Sequence, residues 1–199
     1  MRDEITASIW QTERVRLRAI EPGDWEVFFR WNQDDEMARA LDRVWFPQSQ
    51  EAVRRWAEEA ALRRPDGDAF HWAIEDREGT VVGAISTHDC DRRNGTFAYG
   101  LNVLPEHRRR RFASDAIEVI LRFFFRELGY QKVTVQVHAF NQASIRLHEC
   151  LGFQQEGRLR RVVFTRGRHF DSLVFGLTAE EYNGRDRSDE RPAGESSAT

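Results

Sequence analysis

Four consecutive arginines, Arg108 to Arg111, stand between Pro105 and an apolar helical pattern that opens at Phe112. A strand pattern ends just before them at Leu101-Asn102-Val103, so the order is strand, Arg-rich turn, helix. The first N–H groups of a helix lack internal partners and, with the macrodipole, attract anions. Cations at that end work against the dipole unless a polyanion neutralises both, and guanidinium suits phosphate oxygens. The chemistry indicated is phosphate binding. A solvated basic turn is the plain alternative that charge alone leaves open.

A second group sits on the short helix pattern from Asn141 to Leu151. At ~100° per residue, Asn141, Ser144 and His148 share one face. Ala143, Leu147 and Cys150 are expected on the opposite, core-facing side, with Leu151 at the border. An imidazole titrating near ~6.5 can give up a proton around neutrality, so His148 is a candidate acid, with simple packing as its rival reading. His71, His88, His107, His138 and His169 show no metal-ligand spacing, so no metal is expected. Cys90 and Cys150 are too few for a disulfide framework, and neither has the context of a nucleophile.

The elements that must hold these groups follow from periodicity. Arg14 to Ala19 alternates as a half-buried strand, and Pro22-Gly23-Asp24 turns the chain. Trp25, Phe28 and Phe29, then Val53, Trp56, Ala57 and Ala60, mark two helices. Strands follow at Phe70 to Ile74, Val81 to Thr87 and Phe97 to Val103, with a turn at Arg77-Glu78-Gly79 and the hairpin signal Asn94-Gly95. Ala113 to Leu128 recurs at helical spacing and ends at Gly129. Val133 to Val137 is the next strand, and Val162 to Thr165 and Leu173 to Leu177 close the pattern. The order β-α-α-β-β-β-α-β-α-β-β is that of a mixed α/β layer fold.

Composition sets the limits. The 199 residues carry 30 Lys and Arg against 33 Asp and Glu, a net charge of −3. That balance argues against a partner bound through bulk positive charge, so no nucleic acid is expected. No apolar run approaches the ~20 residues of a membrane span, and no signal-peptide pattern opens the chain. A cytoplasmic protein, monomer or homodimer, is the expectation. Residues 1–182 read as one domain, and 183–199, lacking large apolar residues, as a disordered tail.

The strand–turn–helix, followed by Asn141-Gln142-Ala143-Ser144-Ile145-Arg146-Leu147-His148-Glu149-Cys150-Leu151-Gly152-Phe153 and Glu156-Gly157, resembles the GNAT acetyltransferase superfamily. The opening Thr12-Glu13-Arg14-Val15-Arg16-Leu17-Arg18 is similar to the branch acting on ribosomal-protein N-termini, polyamines and small amines. The resemblance covers residues 12–182. It implies a GNAT-like, mostly antiparallel sheet flanked by helices, and transfer of an acetyl group from acetyl-CoA to a primary amine, on a protein N-terminus or a small molecule, without an acyl-enzyme. It also implies that Leu101, Asn102 and Val103 bind pantetheine through their backbone. The turn Arg108, Arg109, Arg110, Arg111, Phe112, Ala113 and Ser114 would hold the pyrophosphate. Asn141, with Ser144 on its face, would bond the pantetheine arm, and His148 takes the place of a Tyr that protonates the departing thiolate. Arg108 and Ala113 match the family's acyl-CoA loop, but Arg111 stands where a Gly is expected; an Arg there offers its N–H if its φ is negative. Thr96 to Gly100 holds no acid to serve as base, and Asp89, Asp91, Glu26 and Asp34 read as surface acids. Trp31, Trp45 and Phe46 flank the substrate-side loop. The alternative is a catalytically impaired acyl-CoA-binding protein on the same fold.

Overall fold

Alternation of apolar with charged residues makes β1 (Val15–Ala19) a half-buried strand, its Val15 and Leu17 inward and its arginines outward. The computed structural model describes residues 8–41 and 43–189. The chain then runs through a 3-10 turn (Pro22–Asp24) into α1 (Trp25–Trp31), α2 (Asp35–Leu41) and α3 (Gln50–Ala61). Next come β2 (His71–Asp76), β3 (Val81–Asp91) and β4 (Thr96–Val103), a 3-10 turn (Pro105–His107), and α4 (Phe112–Arg122). A π-helical turn (Phe123–Glu127) leads to β5 (Lys132–His138), α5 (Gln142–Cys150), β6 (Gln154–Thr165), β7 (Arg168–Thr178) and α6 (Ala179–Asp189). The sheet order is β1-β2-β3-β4-β5-β7-β6. Every neighbouring pair is antiparallel except β4–β5.

The expected mixed α/β sheet is what the chain forms, with additions. Helix α2 was not expected, because its seven residues bury only Met37. Strand β6 is longer than Val162 to Thr165 because Gln154 to Arg161 forms an outer strand whose mostly exposed polar residues give no apolar alternation. Helix α6 runs into the segment expected as tail, and residues 190–199 lie outside the described residues.

The main core lies between the sheet and α4. Phe97 stacks on Phe124 at 4.1 Å, and Ile117, Ile120 and Leu121 are fully buried. On the other sheet face a smaller core gathers Ile20, Phe28, Val53, Ala73, Val81 and Ala84 under α1 and α3. Each large side chain taken out of water contributes about 1.5–3 kcal/mol, so these two layers fix the sheet.

One feature of the sheet positions the site. β4 and β5 pair only at Thr96–Lys132 and Phe97–Val133, and beyond that point they diverge. β3 stays paired to β4 along its length, through Gly83–Val103. A Cβ on Gly83 would stand 2.2 Å from the Asn102 carbonyl oxygen, so glycine permits that close approach. The result is a crevice open between β4 and β5, with the Arg-rich turn at its mouth.

Candidate active site

Hydrogen-bond parity decides what β4 offers to the crevice. Leu104 N–H donates to Val82 O at 2.9 Å, so in this antiparallel pair Asn102 and Gly100 also bond to β3. The intervening Tyr99, Leu101 and Val103 therefore point their N–H and C=O groups toward β5, where the ladder has ended. The Leu101 N–H and C=O and the Val103 N–H thus face the crevice without a strand partner, while the Val103 carbonyl is taken by the Arg108 side chain. Asn102 differs: its backbone bonds back to Ala84, and its buried side-chain Nδ2 has no hydrogen-bond partner.

The turn is built for backbone donors. Arg108 is extended, and both Arg109 and Arg111 adopt left-handed φ angles of 63° and 64°. The condition of a negative φ at Arg111 is not met: the arginine takes the conformation a glycine would take there. Left-handed backbone costs a Cβ-bearing residue roughly 1–2 kcal/mol, and such strain concentrates at functional sites. Alternation of left- and right-handed residues turns successive N–H groups inward into an anion-binding nest. As N-cap and first turn of α4, Arg111, Phe112, Ala113 and Ser114 carry the N–H groups that the helix leaves without internal acceptors. The Ser114 hydroxyl donates to Arg111 O at 2.8 Å and ties the turn together. The Arg108 Nε donates to Val103 O at 3.2 Å, and Arg110 lies over the Phe112 ring.

Asp115 in the first turn of α4 would repel an anion. It is buried and neutralised: the Arg14 Nε donates to one carboxylate oxygen at 2.9 Å and the Thr12 hydroxyl donates to it at 2.8 Å. The sequence reading missed this arrangement, because the partners lie about a hundred residues apart and no local pattern links them.

Helix α5 brings Asn141, Ser144 and His148 to one face, as its spacing requires. That face is turned inward, however, with Ile145, Leu147 and Leu151 packed on the core, while Ala143 and Cys150 are exposed. Of the three residues expected to face the core, Leu147 does so and Ala143 and Cys150 do not. His148, expected on the face opposite the core, is the one buried residue of the helix, at 5% exposure. It packs edge-on to Phe153 at 5.1 Å and parallel to Phe175 at 6.0 Å. Asn141 caps α5 by accepting from Ser144 N–H at 3.1 Å, and its Nδ2 donates to Ala40 O of α2 at 3.2 Å.

The His148 ring has both nitrogens engaged. Nδ1–H donates to the Ser144 carbonyl oxygen at 2.8 Å, so Nε2 is bare and accepts the Tyr99 O–H at 2.9 Å. Burial lowers the imidazole's pKa, against the opposing pull of the Ser144 carbonyl. Burial likewise raises the Tyr99 phenol well above 10. Both groups are neutral near pH 7, which corrects the expectation of an imidazolium donor. Tyr99 is a site residue the sequence reading passed over; its place two residues before Leu101 on the same strand face was the available signal.

On the other side of the sheet, α2 lies across the crevice. His138 Nδ1 bonds to Arg39 O at 3.2 Å, Asn141 bonds to Ala40 O, and Arg166 of the β6–β7 hairpin pairs with Glu36. Trp31 stacks on Phe28, whereas Trp45 and Phe46 are exposed, Phe46 almost fully. Of the acids weighed as bases, Asp34 caps α2 through Met37 N–H, Asp89 pairs with His88, Asp91 binds Asn94, and Glu26 is exposed. Among the described residues no three His, Cys, Asp or Glu side chains gather as metal ligands, and no helix is long and apolar enough to cross a membrane.

Comparison with known proteins agrees with this geometry. Residues 14–154 match the acetyltransferase (GNAT) domain model. The chain is 44% identical over 178 residues to the SPbeta prophage-derived uncharacterized N-acetyltransferase YokL of Bacillus subtilis, covering 89% of this chain and 97% of that one. It is 30% identical over 170 residues to the uncharacterized N-acetyltransferase YoaA of the same organism, covering 85% and 96%. Among solved structures, spermidine N-acetyltransferase from Vibrio cholerae in complex with CoA and spermine superposes with a TM-score of 0.74 at 21% identity, covering 86% and 99%. At that identity the likeness is one of fold. With a family match over well over half its length and a 44% relative, the chain belongs to the GNAT acetyltransferase family: it is an N-acetyltransferase.

Proposed function

We propose that this enzyme acetylates a primary amine by direct transfer in the crevice between β4 and β5. The observation that carries the reading is the junction of two anion- and carbonyl-binding features. The free backbone edge at Leu101 and Val103 runs straight into a left-handed arginine turn at the start of α4. These features suit a long ligand with a diphosphate at one end and amide carbonyls along its arm. When bound, acetyl-CoA supplies an acyl group activated as a thioester and a thiolate that can leave.

The protein's own groups divide the remaining work. Arg108 to Ser114 hold the diphosphate through backbone N–H groups and guanidinium charge. Leu101 and Val103 align the pantetheine by strand-like bonds, and an N–H on this edge polarises the acyl oxygen. Asn141 bridges the arm to α2, since its amide has a second N–H beyond the one given to Ala40 O. The crevice itself holds amine and thioester together and so removes much of the entropic barrier. His148 acts through Tyr99: its bare Nε2 fixes the phenol, whose O–H is the proton this pair holds beside the crevice.

Thiol release from acetyl-CoA in the presence of amines tests the reading. The wild-type protein releases thiol only when an acceptor is present. His148→Phe, which keeps the ring and removes the acceptor for Tyr99, lowers turnover ~10²-fold while leaving CoA binding intact. His148→Gln, able to accept the same phenol proton, recovers part of the loss. Equal turnover by His148→Phe would reduce His148 to packing, and no amine-dependent release with any acceptor would overturn the catalytic reading.

A further inference from the structure

We infer that a second ligand site lies outside the crevice, in an aromatic cavity beyond the C-terminal end of α4, and that it takes a small aromatic carboxylate. The site is separate from the acetyl-transfer crevice and stands or falls without it.

Four aromatic residues meet here, and folding takes only one of them fully out of water. Trp72 of β2 is buried, while Trp10, Phe70 and Phe123 stay half-buried around a cavity of about 460 Å³. That is an ordinary size for a small-molecule site. The Trp10 ring stands 5.6 Å from Trp72 and 4.5 Å from Phe123, and Phe70 meets Trp72 edge-on at 4.9 Å. The backbone fixes the Trp10 wall: the Trp10 carbonyl accepts Leu17 N–H at 2.8 Å, and Arg122 donates to the Ile9 and Gln11 carbonyls at 2.5 and 3.2 Å. Phe123 follows α4 directly, which places it ~16 Å along the helix axis from the arginine turn. Trp72 lies two strands away from β4 in the sheet. The cavity therefore shares no wall with the crevice.

Charge decides which apolar ligand suits it. The charged side chains of the lining are Arg63, Arg64 and Asp68. Asp68 is spent: its side chain is only 7% exposed, Arg92 grips its two oxygens at 2.6 and 2.5 Å, and the Tyr130 hydroxyl donates to it at 2.7 Å. Arg63 and Arg64, on the exposed stretch after α3, meet no acid among the described residues. Two uncompensated guanidinium groups thus stand beside an apolar cavity whose one carboxylate is already matched. An ammonium ligand would meet two like charges, and a neutral one would leave them unused. A carboxylate accepts two parallel N–H bonds from a guanidinium, the strong form of that contact. The four ring walls select the body of the ligand, because offset and edge-on ring contacts add to plain apolar burial.

The test is an NMR titration of the full-length protein, following the indole N–H signals of Trp10 and Trp72, each assigned by its Trp→Phe variant. The probes are 1-naphthaleneacetate and its uncharged isostere, 1-naphthaleneacetamide. The carboxylate should shift both signals with a Kd on the order of 1 mM or tighter, and the amide should bind ~10-fold more weakly. Arg63→Gln with Arg64→Gln, two exposed changes that leave the core intact, should bring the two probes to equal affinity. Saturating CoA should leave the shifts in place. Equal binding of both probes by the wild type, or a difference that survives the double substitution, overturns the proposal. So does the absence of any shift at about 10 mM carboxylate, a concentration well above the expected Kd. Displacement by CoA would move the probe to the crevice and overturn it as well. Binding that appears only after deletion of residues 1–7 would give the cavity to the chain's own N-terminal segment, and binding lost as the protein self-associates would give it to a second copy; either result overturns it.

Discussion

Two arginine-rich segments of this chain do opposite things. In and just before β1, Arg14, Arg16 and Arg18 alternate, and each meets a carboxylate: Arg14 with Asp115, Arg16 with Glu75, and Arg18 with both Glu75 and Asp24. In the turn before α4, Arg108 to Arg111 form no ion pair among the described residues, and two of them sit in left-handed backbone. Side-chain type is the same in both segments. Paired, half-buried guanidinium groups tie strands together; unpaired ones on a strained turn at a helix N-terminus wait for an anion. The difference teaches that unsatisfied charge held in costly geometry, more than charge itself, singles out the segment proposed to hold the diphosphate.

The sharpest way to break the comparison is to exchange the outcomes. Arg18 is mostly buried between Asp24 and Glu75, whose side chains are themselves nearly buried. Hydrogen bonds and charge from those two carboxylates raise its pKa against the cost of desolvation. Arg18→Leu leaves the buried Asp24 carboxylate without its cation and Glu75 with Arg16 alone, and should cost about 3 kcal/mol, a melting temperature lower by roughly 6–12 °C, without changing CoA affinity. A loss of CoA affinity with unchanged melting would reverse the roles assigned to the two segments.

Acid should act on the scaffold and spare the turn. Burial beside Phe28 and Trp56, aided by the Arg63 charge, pushes the His71 imidazole down to about 4. The folded value lies below the ~6.5 of an exposed imidazole, so the unfolded chain takes the proton first. This contribution to stability is complete above pH 6.5 and is lost as the pH falls toward 4, by about 3 kcal/mol in all. His71→Phe should flatten that part of the profile in denaturant titrations between pH 7 and 4. An unchanged slope would place the acid sensitivity elsewhere.

Substitutions in the turn should show smaller effects of the opposite kind. Arg109→Gly keeps the left-handed backbone and deletes a guanidinium. CoA should bind about 1.5–3 kcal/mol more weakly, with a shallower salt dependence and unchanged melting of the free protein. Arg111→Gly relieves strain of roughly 1–2 kcal/mol but frees the unfolded chain by up to ~1 kcal/mol, so net stability should rise only slightly. Its CoA affinity then reads directly whether the Arg111 side chain touches the ligand.

Much of this was legible in the chain. Periodicity gave the core strands and α4, because Ile117, Ile120 and Leu121 repeat at helical spacing and all are buried. The Arg-rich turn between β4 and α4 and the shared face of Asn141, Ser144 and His148 could be read for the same reason: they depend on local spacing. What escaped depends on partners distant in sequence. The direction in which α5 turns its polar face is set by Tyr99, Phe153 and Phe175 around His148, from three different strands or loops. The sign of φ at Arg111 follows from the turn and cannot be read from residue type, which argues for the opposite sign. Strand β6 has no apolar alternation, since most of its residues face solvent.

In the proposed function the arginine turn and the edge of β4 hold acetyl-CoA. Thermal denaturation of the full-length protein across a CoA titration tests it most directly. A ligand that binds only the folded state contributes about 2.7 kcal/mol at a hundred times its Kd, a rise of roughly 5–11 °C for a domain of this size. The wild-type melting temperature should climb with CoA concentration, and the climb should shrink in Arg109→Gly and at high salt. A melting curve unmoved by millimolar CoA would contradict the account.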